Sequence, residues 1–315
     1  MLSTPLHNWT PTLRSIGLSE HCQKDIWLKM ECFQPVGSYK IRGIGRLCQY
    51  YVRCGKKGFV SSSGGNAGVA VAYAGKRLGV KVDVFLPITS HQIFIDAIRS
   101  YGATAHVGGA AWDEAHEAAL KYAKSMDAAY IPPFDHPLIW SGHATLIEEI
   151  AREGMVPDAI VVAVGGGGLA SGILEGMHQV GWYDIPLFAV QTEGAASLYQ
   201  SIKENKPIVL STVNTIATSL ATKRITPQLL DWTKKHSVTP LIVSDKACVL
   251  AIKRFVDHQR VLVEPSSGAA LSVVYDQHPE LEKYQSILVI VCGGIGISLD
   301  LLENYMRRFN LVEQA

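Results

Sequence analysis

The chain lacks most of the features that would assign it quickly. Its six cysteines, Cys22, Cys32, Cys48, Cys54, Cys248 and Cys292, form no C-x-x-C pair. No Cys/His cluster has zinc spacing, so a structural zinc module is not expected. No uninterrupted apolar run reaches membrane length. The opening stretch MLSTPLHNWTPTL has no basic segment followed by an apolar one, which argues against a secretory signal. There is no excess of either charge: Lys+Arg is 29 against Asp+Glu 28, for a formal net charge of +1. That balance forces no basic patch and argues against nucleic acid as the main partner. No long like-charge block, internal repeat or low-complexity tract interrupts the chain. These absences describe a soluble, cytoplasmic protein with reduced thiols.

What remains is ample for a core. With 315 residues and 48% hydrophobic composition, the length suggests about two domains. Short apolar runs alternate with longer helical segments. DIWLKME (25–31), FVSS (59–62), KVDVFLP (81–87), ATAHVG, AIVVAV (159–164), LFAVQT (187–192) and SILVIVC (286–292) read as strands. SYKIRGIGRLCQYYVRCG, GNAGVAVAYAGKRLG, HQIFIDAIRSYG, AWDEAHEAALKYAKSM and TLIEEIAREG read as helices, as does the tail after Leu301. Such alternation implies βαβ units and a mostly parallel sheet. YIPPFDHPLIWSGHA, with Pro132, Pro133 and Pro137, reads as an irregular crossing between domains.

Three strands run straight into glycine. The clusters are Gly64, Gly65 and Gly68; Gly165 to Gly168 and Gly172; and Gly293, Gly294 and Gly296. In open α/β sheets ligands bind at the carboxyl ends of strands. Parallel strands would bring all three clusters to one edge. There, backbone N–H groups and helix N-termini would face an anion. A single cluster is often no more than a tight turn; three in one chain predict a crevice for phosphate and carboxylate. Gly165, Gly167 and Ala170 also fit G-x-G-x-x-A, a dinucleotide fingerprint, with Glu193 later than the usual acidic position.

The dinucleotide alternative leaves Lys40 unexplained. Lys40 follows a glycine turn and opens a helix, where the dipole is already positive. That position, with burial, lowers the pKa of an amine and favours its neutral, nucleophilic form. An aldehyde cofactor that also carries a phosphate is pyridoxal 5′-phosphate.

GSYKIRG, SSSGGNAG, VGGGGL, LVEPSSGAA and VIVCGG together resemble the motifs of fold-type II pyridoxal-phosphate enzymes, in the same order and spacing. The resemblance spans nearly the whole chain. PPFDHPLIWSGHA and HQVGW (178–182) draw it toward the L-serine dehydratase/L-threonine deaminase branch. It implies two α/β domains, each with a central, mostly parallel twisted sheet flanked by helices. Residues 1–43 and 135–315 would form the large cofactor domain, and 44–134 a small inserted domain. Lys40 would carry the cofactor and take the substrate Cα proton. Gly165, Gly166, Gly167, Gly168 and Leu169 would hold the phosphate through N–H groups. Asn66 would bond the phenolic oxygen, Cys292 would face the pyridine nitrogen, and Tyr39 and Ala221 would sandwich the ring. Ser63, Gly64, Gly65, Asn66 and Ala67 would grip the substrate carboxylate, with Ser63 also catalytic. The implied reaction is deamination of L-serine, and of L-threonine, to a 2-oxo acid and ammonia by a homodimer. The alternatives are a β-replacing synthase or serine racemase on the same fold, or a nucleotide-binding module using the Gly165–Gly168 turn.

Three departures from the family pattern stand out. Tyr39 replaces the usual phenylalanine before the lysine. Gly64 stands where some dehydratases carry alanine, which predicts a looser pocket. The family also binds a monovalent cation such as K+ through backbone carbonyls and a carboxylate. The matching carbonyls are those of Gly165, Ala195, Leu220 and Thr222, with Ser197 nearby, but Gln191 takes the carboxylate's place. The remaining candidates have plainer readings. Glu264 is either a support beneath the site or a solvated charge at a strand end. His136 and His143 read as packing or capping residues, and NWTPTL as a structural arm.

Overall fold

The computed structural model describes residues 4–110 and 112–311. Among them are ten strands in two sheets. The strands are β1 (Thr12–Arg14), β2 (Asp25–Lys29), β3 (Gly58–Ser61), β4 (Lys81–Leu86), β5 (Thr104–Val107), β6 (Ala129–Tyr130), β7 (Ala159–Ala163), β8 (Leu187–Thr192), β9 (Val238–Val243) and β10 (Ser286–Ile290). The six-stranded sheet has the order β1-β2-β10-β7-β8-β9, and the four-stranded sheet β5-β4-β3-β6. Every pairing is parallel except that of β1 with β2. The expected α/β class with mostly parallel sheets is what the chain forms.

The apolar runs explain the middle of the larger sheet. Every residue of β7 and β8 is buried, as parallel strands covered on both faces should be. The helix Pro265–Tyr275 is buried along its whole length, and its small residues, PSSGAAL, let it lie against these strands. β9 and the short strands β1 and β6 were not foreseen. β9 contains Pro240, which cannot donate to a ladder and so marks an edge strand.

One expectation needs correction. The crossing at YIPPFDHPLIWSGHA is irregular only in its first half, because a helix runs from Pro137 to Arg152. Pro137 sits in the first turn, where its missing N–H costs nothing, so it starts the helix and does not break it. His136 caps this helix, accepting from Leu138 N–H at 3.1 Å. The helix expected from Ala111 runs over Trp112–Ser125, Ala111 itself lying outside the described residues.

A buried charged cluster fixes the helix Lys40–Arg53. Arg42, with no exposed surface, grips Glu31 through Nε (2.6 Å) and Nη2 (2.7 Å). It grips Glu149 through Nη1 (2.7 Å) and Nη2 (2.8 Å). Lys29 Nζ pairs with Glu149 Oε2 at 2.8 Å and donates to the Thr10 carbonyl at 2.6 Å. Two cations thus meet two carboxylates, with their hydrogen-bonding capacity filled. Thr10 draws the NWTPTL arm into the cluster, which gives that segment its structural role.

Removing the guanidinium would leave two buried carboxylates against one lysine. Arg42→Met is expected to lower the thermal midpoint by about 5 °C or more. An unchanged midpoint in a thermal scan of the variant would show that the cluster contributes nothing to stability.

Candidate active site

Lys40 is placed by the end of β10. Tyr39 N–H donates to the Cys292 carbonyl at 3.0 Å, and Gly294 N–H to the Gly37 carbonyl at 2.9 Å. Ser38 and Gly293 form an antiparallel bridge. The segment Gly37–Lys40 therefore lies across the strand end before the helix starts at Lys40. The Lys40 side chain is buried, and its Nζ donates to the Pro133 carbonyl at 2.7 Å. Burial lowers its pKa from 10.5 to about 8, against the opposing pull of Cys292 and Glu264. Roughly one amine in ten is then neutral at pH 7, against roughly one in three thousand for an unperturbed lysine.

The three glycine clusters meet around a carboxylate that the sequence reading left ambiguous. Glu264 is 2% exposed, so it is no solvated charge. It accepts from Asn66 Nδ2 at 2.9 and 3.0 Å, from Ser266 Oγ at 2.6 Å, from Gly296 N–H at 3.2 Å and from Ser219 Oγ. Asn66 follows Gly64 and Gly65 at the start of the helix Asn66–Leu78. The Ser219 carbonyl lies where a Cβ on Gly165 would be, within 2.8 Å. Glu264 thus joins the loop after β3 to the glycines after β10 directly, and reaches the turn after β7 only through Ser219. Nothing in the spacing of LVEPSSG marks this role; only its neighbours in the fold do.

The turn Gly165–Gly168 leads from β7 into the helix Gly168–Gln179. Gly167 has φ +88°, a left-handed conformation suited to glycine. A Cβ on Gly166 would come within 2.5 Å of the Phe134 ring, and one on Gly168 within 2.5 Å of the Phe134 carbonyl. Among the described residues, the backbone N–H groups of Gly165 to Leu169 have no protein acceptor. They are the unpaired donors of a helix N-terminus. Asn66 is buried, and its Oδ1 also lacks a partner. Free N–H donors beside a buried amine of lowered pKa fit a phosphate-bearing aldehyde.

Cys292 is buried and its thiol is pushed up to about 11, chiefly by burial and by Glu264. It stays protonated at neutral pH, 3.4 Å from Ser266 Oγ and 3.5 Å from Ser267 Oγ. Tyr39 packs edge-on against His143, with ring centroids 4.9 Å apart. Burial raises the Tyr39 phenol well above its usual range and holds His143 well below its own, so both rings are neutral. His143 is therefore a packing residue against Tyr39. Ala221 is exposed, just past the short turn Thr218–Leu220. Ser63 lies just past β3, and Ala67 in the first turn of the next helix. The room that a methyl group on Gly64 would take is filled by Ser90, whose Oγ is 2.1 Å from that position. The missing side chain is replaced from a neighbouring loop and leaves no open space there.

A parallel α/β sheet whose glycine turns converge on a buried lysine defines a class of cofactor enzyme, and sequence comparison agrees. Residues 3–293 match the family model described as pyridoxal-phosphate dependent enzyme. The chain belongs to that family. It is 42% identical over 310 residues to the L-serine dehydratase/L-threonine deaminase of Homo sapiens, covering 95% of this chain and 94% of that one. The crystal structure of a fungal L-serine ammonia-lyase from Rhizomucor miehei superposes with a TM-score of 0.93 at 35% identity, covering 97% of this chain and 100% of that one. Maize serine racemase superposes with a TM-score of 0.88 at 26% identity, covering 98% of this chain and 94% of that one.

Two outcomes follow from this geometry. Uptake of pyridoxal phosphate by the apoprotein, followed by absorbance, should quicken as pH rises from 6 and level off above about 8, because only the neutral amine reacts. A rate still climbing tenfold per pH unit up to about 10 would mean that Lys40 is not perturbed. Gly166→Ala must displace the Phe134 ring and should weaken cofactor retention about tenfold in dialysis, whereas unaltered retention would mean that this turn does not hold the cofactor.

Proposed function

We propose that the chain deaminates L-serine, and L-threonine as a second substrate, by β-elimination, giving pyruvate or 2-oxobutanoate plus ammonia. The observation that carries this reading is the buried Lys40 amine beside unpaired N–H donors and a neutral thiol. Pyridoxal phosphate, when bound, supplies the electron sink that acidifies the substrate Cα–H bond.

The residues of the chain then have distinct tasks. Lys40 would hold the cofactor aldehyde, and its Nζ would take the Cα proton of the substrate. The N–H groups of Gly165, Gly166, Gly167, Gly168 and Leu169 hold the phosphate. Asn66 would donate to the phenolic oxygen from Nδ2, giving up one of its contacts with Glu264, and Tyr39 and Ala221 would flank the ring. Ser63, Gly64, Gly65, Asn66 and Ala67 bind the substrate carboxylate, with Ser63 next to the reacting carbon. Cys292 faces the pyridine nitrogen with a thiol too weakly acidic to protonate it. So weak a partner at that position would favour elimination of the substrate hydroxyl over transamination.

The two sheets divide this work. Residues 44–134 carry the carboxylate loop, and 1–43 with 135–315 carry the lysine and the phosphate turn. Closing the smaller unit on substrate excludes water from the reacting atoms. The six cysteines, all free, suit a reducing cytoplasm; the homodimer is carried by the family resemblance alone.

Release of 2-oxo acid from L-serine, L-threonine, D-serine and O-acetylserine separates the readings. L-serine should be the best substrate, and Lys40→Ala should lower its turnover by about 10³-fold or more. Conversion of L-serine mainly to D-serine, or deamination unchanged in Lys40→Ala, would sink the proposal.

A further inference from the structure

Gln191, fully buried in β8, stands where the family resemblance requires a carboxylate beside a monovalent cation. Its Oε1 accepts from the N–H groups of Leu198 (2.9 Å) and Tyr199 (3.0 Å). Its Nε2 donates to the Val164 carbonyl at 3.2 Å. These partners fix the orientation of the amide, since a backbone N–H only donates and a carbonyl only accepts. A flipped amide would set N–H against N–H and oxygen against oxygen. Both lone pairs of Oε1 are therefore taken, and the other end of the amide carries hydrogens.

No free carboxylate takes its place: Glu264, which Ser219 reaches, already accepts from Asn66, Ser266 and Gly296 as well. The carbonyl oxygens of Gly165, Ala195, Leu220 and Thr222 are neutral, and that of Leu220 already accepts from Thr222 N–H at 2.7 Å. Glu193, the acid next to β8, is exposed. The hydroxyls of Ser197, Thr192 and Thr222 have no protein partner among the described residues. Hydroxyls both donate and accept, so water satisfies them more fully than an ion would. A buried cation with no carboxylate free to coordinate it pays its desolvation without compensation. The residues present do not fit the ion.

We infer that Gln191 replaces the cation. Its amide joins the start of the helix Ser197–Lys203 to the end of β7, a junction that a carboxylate would make only with an ion beside it. The protein then folds, keeps its cofactor and turns over substrate without a monovalent cation. Only the turnover clause rests on the ammonia-lyase reading; stability and ion binding are independent of it.

The test compares holoenzyme in potassium chloride with holoenzyme in tetramethylammonium chloride, each at about 100 mM. The expected result is a thermal midpoint differing by less than about 2 °C, the same cofactor absorbance, and no saturable heat on titrating K+ into the ion-free protein. Gln191→Glu should reverse this. One carboxylate oxygen keeps the two N–H bonds while the other meets the Val164 carbonyl, so the variant should lose about 2 °C or more without K+ and regain it with K+. A saturable K+ isotherm for the unaltered protein, or loss of its stability or cofactor without K+, would overturn the inference. So would a Gln191→Glu variant indifferent to the ion. If no 2-oxo acid forms from L-serine in either salt, the ammonia-lyase reading fails, while calorimetry still decides the question of the ion.

Discussion

The contact between Arg42 and its two carboxylates sets the position of everything that reacts. Glu31 follows β2, Glu149 lies on the helix Pro137–Arg152, and Arg42 is two residues from Lys40. One planar guanidinium therefore ties two separate pieces of the chain to the first turn of the lysine's helix. Its fork geometry leaves little freedom for that helix to rotate or slide. Such a cluster adds little to stability when compared with an apolar substitute of the same shape. What it gives is direction. It aligns the helix so that its first residue meets the end of β10.

Glu264 plays the matching part on the other side of the site. It is a buried anion among donors drawn from both sheets: Asn66 follows the four-stranded sheet, while Ser219, Ser266 and Gly296 belong to the larger unit. Its charge pulls the Lys40 amine toward the protonated form, opposing the effect of burial. Burial outweighs that pull and lowers the amine to about 8. The same charge helps to hold the Cys292 thiol protonated. One carboxylate therefore adjusts two groups that would face opposite ends of a bound ring system.

Much of this was legible in the residue order because local signals and global fold agree. Apolar runs ending in glycine announced β3, β7 and β10 and the crevice at their ends, and Lys40 was conspicuous for opening a helix. Pro137 misled, because a proline between apolar segments marks a boundary equally well as the start of a helix. β9 was obscured by Pro240, and β1 and β6 by their shortness. Arg42 and Glu264 were harder still. Each has an ordinary residue type at an ordinary spacing, and only long-range packing turns it from a surface charge into a buried one. The Ser90 side chain over Gly64 could not be read locally for the same reason.

The strand end that receives the lysine has a temporal meaning as well. Gly37–Lys40 is laid against Cys292–Gly294, some two hundred and fifty positions further along the chain. The segment carrying Lys40 is therefore made well before the one it rests against. The burial that lowers the Lys40 amine is complete only once that later segment is in place. The lysine's altered basicity is thus a property of a long-range contact, absent from its local sequence.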